Sequence, residues 1–372
     1  MKILFISRAY PPVIGGIENH NRDLALWLGK KTDLTLVANR HGKGFLPIFL
    51  PYAFIRALSG LYRNDVLLVG DGVLAPVVFV LSWFRPKIRT ACVVHGLDLR
   101  YGGSRPGILS ACYQAINLPS LRAMDHIFAV SEFTKTEAVK VGIDPDRITV
   151  IQNGIDSEEL VIPRDRATLD TLLGTWTDKR FVIVRIGRYV KHKGVEWFIR
   201  NVVPRLPDEV LFVAAGGVVS GHAAGDEDYF PRCTHTVSEL GLEKRVRLLT
   251  NLPRHDILTL LNSADLAVSP NIPVPGTMEG FGINVIEANA CGLPVVASDL
   301  EGLTEAIVNG ENGTLLEPGN ADAYVSEITR LMENPERLKA EGLRAKDFVL
   351  DRFHWDALSD RYIRVFEADR LH

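Results

Sequence analysis

The sequence predicts an α/β protein made of two doubly wound domains, each with a parallel sheet. The length of 372 residues exceeds the size at which a single hydrophobic core normally keeps growing. Twelve short apolar runs alternate with longer segments of helical period. Several of these runs are continuous Val, Ile, Leu and Ala, as expected when helices cover both faces of a parallel sheet. Two such domains in series account for all three observations.

The predicted strands form two sets of six. In the first half they are Lys2–Ser7, Asp33–Ala38, Asp65–Gly70, Thr90–His95, Asp125–Ser131 and Arg147–Ile151. In the second half they are Phe181–Gly187, Val210–Gly216, Val246–Leu249, Asp265–Ser269, Pro294–Ser298 and Gly313–Leu316. A polar stretch, Ser157–Asp178, separates the sets and predicts the domain boundary. Because ligands of open α/β sheets bind beyond the carboxyl ends of the strands, functional residues are expected directly after these runs.

Charge and cysteine content narrow the classes of partner. Residues 1–150 carry 18 Lys and Arg against 11 Asp and Glu, whereas the remaining residues carry 24 against 34. A basic first half favours an anionic partner, such as a membrane surface or a phosphorylated acceptor, but an unevenly charged solvated surface gives the same balance. The four cysteines form no CxxC pair, which predicts neither a disulfide framework nor a zinc site and fits a cytoplasmic protein.

Two features of the first half lie where a ligand is expected. Gly15 and Gly16 follow the first strand and precede a helical pattern, so their amides could hold a phosphate, although such a glycine pair more often serves only the turn. His95 ends the fourth strand and could donate a hydrogen bond to a sugar hydroxyl or stabilise developing charge, although a lone histidine is more often structural. The first strand is not followed by GxGxxG, which argues against an ordinary dinucleotide site.

Two cations follow the first strand of the second half. Arg188 and Lys193 lie five residues apart across a predicted strand-to-helix turn. Arginine offers a bidentate fork and lysine a point charge, so both could converge on one diphosphate. They would then stabilise the negative charge that develops on a departing nucleotide. Exposed Lys and Arg residues usually serve solubility alone. The expectation of a ligand therefore depends on the position of these two cations after a strand more than on their residue types.

The most informative segment contains two glutamates on either side of a glycine-rich helix start. Glu279 precedes the predicted helix, and Glu287 lies just over one turn inside it. Gly280 and Gly282 mark the loop between them, and the first helical turn has amides that can bind phosphate or sugar oxygens. One carboxylate can hold sugar hydroxyls while the other binds a ribose. A glutamate at a helix N-terminus can simply complement the helix dipole. That role would explain one of the two glutamates, but it would not explain both glutamates together with the glycine pair.

At this point the chain resembles a known family, the large retaining glycosyltransferases of the GT-B fold, called group 1 or family 4. The segment EGFGINVIEANACGLPVVASD contains the family's Glu-x7-Glu element, and PPVIGG, HGLD, QNGID, GRYVKHKG and NGENGTLLEPG occur in the family's order. The resemblance covers nearly the whole chain. It implies two Rossmann-like domains that face a central cleft, with residues 1–165 on the acceptor side and 166–352 on the donor side. The terminal helix, 353–372, would join the first domain.

The resemblance also implies roles for residues of the donor domain. Arg188 and Lys193 would bind the donor diphosphate, Glu287 would bind the ribose, and Glu279 would lie beside the transferred sugar. The main chain of the glycine-rich loop would hold sugar and phosphate oxygens through Gly280, Phe281, Gly282, Ile283 and Asn284.

In the first domain, His95 would contact the sugar near the reaction centre, and Gly15 and Gly16 would close over the donor phosphates. The chain departs from the common pattern at several positions. Asn271 stands where serine is frequent, and Glu301-Gly302 replaces a more usual glycine pair.

The implied activity is transfer of a hexose from a nucleotide sugar to a saccharide or lipid-linked acceptor, in the synthesis of cell-surface polysaccharide, lipopolysaccharide or glycolipid. No metal, other cofactor or nucleic acid is expected. The apolar stretches 46–52 and 77–85, flanked by Lys and Arg, could contact the inner face of an anionic membrane, or could be ordinary core elements. A nucleotide-sugar epimerase, a phosphorylase and a non-catalytic sugar-nucleotide-binding protein are the alternatives.

Overall fold

The computed structural model describes residues 1–13, 15–100, 108–218 and 229–368. The chain forms two compact units. The first contains Met1–Gly154 and Phe353–His372, and the second contains Ile155–Arg352. Each unit has its own six-stranded sheet, and the predicted fold class is therefore confirmed.

The first sheet lies in the order β2-β1-β3-β4-β5-β6, with all strands parallel. Its strands are β1 (Lys2–Ser7), β2 (Asp33–Ala38), β3 (Val66–Val69), β4 (Arg89–Val94), β5 (His126–Ala129) and β6 (Ile148–Val150). Ile3, Leu4, Phe5 and Ile6 are all fully buried. Because successive side chains of a strand point to opposite faces, burial of four in a row means that both faces of β1 are covered.

The second sheet is also parallel and lies in the order β12-β11-β10-β7-β8-β9. Its strands are β7 (Phe181–Ile186), β8 (Val210–Gly216), β9 (Val246–Thr250), β10 (Leu266–Ser269), β11 (Val295–Ser298) and β12 (Thr314–Leu316). The strand order reverses between β7 and β10, so the connections that leave these neighbours run in opposite directions. Such a switch point opens a crevice at the carboxyl ends of the two strands.

Helices connect the strands in both units. The first unit contains α1 (Gly16–Lys31), α2 (Leu46–Gly60), α3 (Ala75–Phe84), α4 (Leu97–Arg100), α5 (Ile108–Arg122) and α6 (Glu132–Lys140). The second contains α7 (Ser157–Leu160), α8 (Arg166–Leu173), α9 (Val195–Asn201), α10 (Tyr229–Glu239), α11 (Arg254–Ser263), α12 (Ile283–Ala290), α13 (Leu303–Ala306), α14 (Ala321–Met332) and α15 (Pro335–Phe353). The last helix is α16 (Trp355–Ala368), and it belongs to the first unit.

Helix α16 packs against the first unit through its apolar stripe. The buried side chains of this stripe are Trp355, Leu358, Tyr362 and Phe366. Tyr362 and Phe366 contact the ring of Phe128 on β5. Residues 369–372 of the predicted terminal helix lie outside the described residues. The apolar stripe of α16, with its residues at helical spacing, is the physical basis for the packing of this helix on the first unit.

The border between the units precedes Ile155, whereas the sequence placed it after Asp165. The difference arises because the segment after Gly154 bonds to the second unit. The amide of Asn262 on α11 donates to the Leu160 carbonyl at 2.9 Å, and its oxygen accepts the Ile162 N–H at 3.2 Å. A polar stretch read from sequence marks a loop region, but it does not show on which unit the loop is anchored.

Candidate active site

Two loops of the second unit meet at the switch point between β7 and β10. The loop after β7 contains Gly187 and continues to Gly194, and the loop after β10 leads from Pro270 to Gly282. The Ile272 N–H donates to the carbonyl of His192 at 2.9 Å, which joins the loops. Gly194 has φ 72°, and a Cβ there would lie 1.8 Å from the Pro270 carbonyl oxygen. Only glycine permits this close approach.

A buried ion pair connects the two loops. The Lys193 ammonium donates to Oε2 of Glu279, and each residue is only 9% exposed. The side-chain amide of Asn271 donates to the same oxygen at 2.9 Å. The structure thus brings together two residues that the sequence placed in one site, although they are 86 positions apart.

The charges around this pair keep the carboxylate ionised. Burial alone would raise the pKa of Glu279, but the positive charge of Lys193, with His192 and Asn271, lowers it to about 2. Burial also lowers the pKa of Lys193, and the cations Arg185 and Arg188 lower it further, while Glu279 opposes them. Burial and Lys193 lower the pKa of His192 to about 3, so this imidazole is neutral at pH 7.

Arg188 and Arg185 add positive charge to the loop after β7. The side chain of Arg188 is exposed, as a residue that binds a ligand from solvent requires. Arg185 is 1% exposed and donates through Nη1 to the carbonyl of Arg188 at 3.2 Å and to that of Gly187. Its Nε and Nη2 are buried without a hydrogen-bond partner among the described residues. Arg185 is not among the site residues predicted from the sequence, although a charge inside the apolar strand FVIVRI was a visible signal.

The glycine-rich loop leads into α12 without a side-chain cap. Gly282 is the N-cap residue, with φ 91°, and a Cβ there would lie 2.6 Å from Cδ2 of Leu303. Phe281 is 1% exposed, so its ring belongs to the core. An uncapped first turn presents main-chain amides at the positive end of the helix dipole, which suits a phosphate or sugar oxygen. Of the predicted loop residues, Gly280, Ile283 and Asn284 are half-buried.

Glu287 lies on α12 and is paired with Arg254, which is not among the site residues predicted from the sequence. Its Oε1 is 3.2 Å from Nη2 of Arg254, the first residue of α11. The Glu287 side chain is 15% exposed and that of Arg254 is 40% exposed. A partly exposed pair of this kind is weak, so the carboxylate can exchange its partner for a ligand hydroxyl at low cost.

In the first unit, His95 follows β4, and its ring is hydrogen-bonded to the main chain. Nε2 lies 3.0 Å from the carbonyl oxygen of Gly70. A carbonyl only accepts, so Nε2 donates to it. The carboxylate of Asp98 accepts the N–H groups of His95 and Gly96, which holds the turn. The role predicted for His95, a hydrogen bond to a sugar hydroxyl or stabilisation of developing charge, remains a prediction.

Gly15 is the N-cap residue of α1 and Gly16 is its first residue, but the first turn already carries the acidic side chain of Glu18. A Cβ on Gly15 would lie 2.1 Å from Oε2 of Glu18 in the first turn of α1. A phosphate at this helix end would therefore have to displace the Glu18 carboxylate. Ile14, which completes the predicted motif, lies outside the described residues.

Comparison with known proteins identifies two family patterns along the chain. "Glycosyltransferase Family 4" matches residues 14–159, and "Glycosyl transferases group 1" matches residues 174–348. The alpha-maltose-1-phosphate synthase of Mycolicibacterium smegmatis is 24% identical over 98% of this chain and 99% of its own length. The D-inositol 3-phosphate glycosyltransferase of Corynebacterium glutamicum is 33% identical, over 52% of this chain and 45% of that protein.

The solved structures that resemble the chain have the same fold. Anabaena HepE in complex with UDP-glucose superposes with a TM-score of 0.80 at 21% identity, and the match covers 99% of this chain and all of that one. WaaG, a glycosyltransferase involved in lipopolysaccharide biosynthesis, superposes with a TM-score of 0.67 at 15% identity, over 98% and 99% of the two chains.

Proposed function

Since the chain belongs to the group 1 and family 4 glycosyltransferases of the GT-B fold, we propose that it transfers a hexose from a nucleotide sugar to a saccharide or lipid-linked acceptor, with retention of anomeric configuration. The observation that carries this proposal is the Lys193–Glu279 pair beside the uncapped start of α12. It places an ammonium, a carboxylate and helix amides at the switch point of the second sheet, where an α/β sheet binds its ligand.

The donor roles follow from the charge and exposure of each group. Lys193 and the exposed Arg188 would bind the diphosphate, with the α12 amides as further donors. Glu287 would accept hydroxyls of the ribose after releasing Arg254. Glu279 is ionised and acceptor-only, so it would hold hydroxyl groups of the transferred sugar. In the first unit, His95 is proposed as a further contact to this sugar, and Gly15 and Gly16 as contacts to the phosphates.

The reaction breaks the bond between the anomeric carbon and the donor phosphate and forms a bond from that carbon to an acceptor hydroxyl oxygen. The hydroxyl proton passes to the departing phosphate oxygen on the same face of the sugar, which retains the configuration. Arg188, Lys193 and the helix amides stabilise the negative charge that develops on the nucleoside diphosphate, so the proposed mechanism requires no metal ion. The carbohydrate passes through an oxocarbenium-like state.

A thermal-shift screen against UDP-, ADP- and GDP-sugars tests the proposed donor class. A donor that binds only the folded protein raises its melting temperature, by linkage. Turnover of the selected donor with a saccharide acceptor, followed by NMR of the anomeric proton, then reports retention or inversion. Product that forms without an acceptor would instead indicate an epimerase, and donor binding without any product would indicate a non-catalytic protein.

Replacement of the ion pair tests its place in the reaction. Lys193→Met or Glu279→Gln alone leaves a buried charge without its partner and is expected to lower the free energy of unfolding by about 3–5 kcal/mol. The double variant should recover most of this loss and still show at least a ~100-fold lower kcat/KM. Chemical denaturation and transfer assays of all three variants measure both effects. A stable double variant with full activity would contradict the assignment.

We further propose that the first unit contacts an anionic membrane through the outer faces of α2 and α3. Their inner faces belong to the core, since Phe49, Ala53, Val78 and Leu81 are buried. The outer faces carry exposed apolar side chains, which are Ile48, Tyr52, Ile55, Trp83 and Phe84, and the exposed Tyr62 lies in the turn directly after α2. The stretches 46–52 and 77–85 can therefore be core elements on one face and contact a membrane with the other.

The two helices form one surface with a basic border. The hydroxyl of Tyr62 donates to the Phe84 carbonyl at 2.9 Å, and the rings of Phe54 and Phe84 are 6.3 Å apart. The sequence contains no Asp or Glu from residue 34 to 64 or from 72 to 97, whereas exposed cations include Lys43, Arg56, Arg63 and Lys87. The helical segment 43–63 is long and apolar enough to cross a membrane by length and composition. Its exposed apolar face with a basic border is instead typical of a helix that lies in the membrane interface.

Co-sedimentation with vesicles tests the membrane contact. We expect binding to vesicles with an anionic lipid, much weaker binding to neutral vesicles, and a loss of at least ~10-fold in affinity for the double variant Ile55→Ser/Trp83→Ser. The matched control is Trp176→Ser, which removes an even more exposed tryptophan (82% against 67% for Trp83) from the second unit and should have no effect. Absence of binding at low salt would refute the proposal.

A further inference from the structure

Glu301 adopts a backbone conformation that disfavours its residue type. Its φ is 51°, in the left-handed region, and the only other non-glycine residue there among those described is Asn251. Asparagine is enriched in this region, whereas glutamate is uncommon there because its Cβ crowds the main chain. The sequence has Glu301 where the resembled family more often has glycine. A strained residue persists only where surrounding contacts hold it.

The contact that holds it is made to Glu279. Oε2 of Glu301 accepts the main-chain N–H of Glu279, and the next residue, Gly302, donates its N–H to the Glu279 carbonyl at 3.1 Å. Both main-chain groups of Glu279 are therefore bound by consecutive residues of one turn. A Cβ on Gly302 would lie 2.4 Å from the carbonyl oxygen of Gly280, so the turn lies directly against the glycine-rich loop.

We infer that Glu301 is a positioning residue for the donor site. Its carboxylate fixes the peptide before Glu279, and through it the direction of the Glu279 carboxylate and the path of the main chain into α12. A hydrogen bond with a charged acceptor is strong enough to orient this peptide. Glu301 would act on the transferred sugar through Glu279 rather than by direct contact. This inference rests on the proposed donor role of Glu279.

Three replacements separate this role from backbone strain. Glu301→Gln keeps an acceptor oxygen at similar reach, Glu301→Ala removes the acceptor and keeps the strain, and Glu301→Gly removes the acceptor and relieves the strain. We expect kcat/KM for sugar transfer to fall ~10-fold in both Glu301→Ala and Glu301→Gly, and to stay within ~3-fold of wild type in Glu301→Gln. The melting temperature of Glu301→Gly should exceed that of Glu301→Ala.

UDP-glucose and UDP serve as probes, or the corresponding ADP or GDP pair if the donor screen selects it. The loss should lie in kcat and in affinity for the nucleotide sugar, while affinity for the nucleoside diphosphate alone is unchanged, because the diphosphate is bound by other groups. Activity that follows melting temperature, so that Glu301→Gly exceeds Glu301→Ala, would overturn the inference and leave Glu301 a structural residue.

Hydrogen exchange of the peptide around Glu279 provides a readout that needs no activity. Faster exchange of the Glu279 amide in Glu301→Ala and Glu301→Gly, with protection retained in Glu301→Gln, would support the contact. Equal protection in all four proteins would overturn it. Wild-type protein that transfers no sugar from any donor would refute the proposed function, and the exchange data would still decide whether Glu301 orients Glu279.

Discussion

The central residues of the candidate site are charges held out of water at a cost. A buried ion pair gains little net stability, because desolvation of both groups offsets their attraction. Lys193 and Glu279 are both buried, and the fully buried guanidinium of Arg185 adds a further cation beside them. The local excess of positive charge is what a diphosphate would neutralise. The arrangement is therefore better explained by ligand binding than by stability of the fold.

The ionisation of Glu279 predicts a specific dependence of stability on pH. Its pKa in the folded protein is about 2, below the ordinary value of 4.5, so its contribution is present above pH 4.5 and is lost as the pH falls toward 2. Glu279→Gln should therefore cost about 3 kcal/mol at pH 7 and progressively less below pH 4.5. Denaturant titrations at pH 7, 4.5 and 3 measure the difference. A cost that is independent of pH would contradict the ion pair.

The exposed Arg200–Glu239 pair is the matched control for this experiment. Glu239→Gln should give a much smaller change than Glu279→Gln, and added salt should remove it, because solvent and ions screen an exposed pair.

At the scale of elements, the candidate site depends on close contacts between loops that only glycine allows. Gly194 brings the loop after β7 against the loop after β10, Gly282 starts α12 beside Leu303, and Gly302 lies against the Gly280 carbonyl. The sequence showed Gly280 and Gly282 as loop signals, and Gly194 only as the last residue of the motif GRYVKHKG. It did not show which loop each one meets, because a glycine pattern reports local freedom and not the neighbour that requires it.

Substitution of Gly194 tests the contact between the loops. Gly194→Ala places a methyl group on the Pro270 carbonyl, and at φ 72° it also adds backbone strain, so we expect a loss of about 3 kcal/mol or more and loss of transfer activity. Gly319→Ala is the control, since it has a similar φ of 79° but open space around its Cβ, and it should cost only about 1 kcal/mol. Melting temperatures and turnover of the two variants measure the contrast. Equal losses would show that the clash is absent.

At the scale of the whole molecule, each unit completes its own sheet and core, but the first unit needs the end of the chain. Trp355 is fully buried, and its ring packs closely against Gly154. A Cβ added to Gly154 would lie only 2.6 Å from Cδ2 of the Trp355 ring. Lys31 on α1 pairs with Asp356 at 2.8 Å and with Asp360 at 2.7 Å. The chain therefore passes through the second unit before it supplies the last helix of the first.

Replacement of Trp355 should destabilise one unit and spare the other. Trp355→Ala removes a large buried side chain, so we expect the first unit to lose about 3–5 kcal/mol. Hydrogen exchange resolved by peptide should then become faster in residues 1–154 and stay unchanged in residues 155–352, because the two units have separate cores. Uniformly faster exchange along the chain would contradict this division.

The amino-acid sequence by itself determined the twelve strands, the α/β class and the family, and it predicted Arg188, Lys193, Glu279 and Glu287 as residues of one site. These features are encoded locally, in apolar periodicity and in motifs only a few residues long. The tertiary structure alone decided that Lys193 bonds to Glu279, that Arg254 pairs with Glu287, and that Glu301 binds the Glu279 main chain. These contacts join residues 86, 33 and 22 positions apart, and no local pattern specifies them. They arise because parallel strands bring the loops at their carboxyl ends to one edge of the sheet, where sterics and charge select the partners.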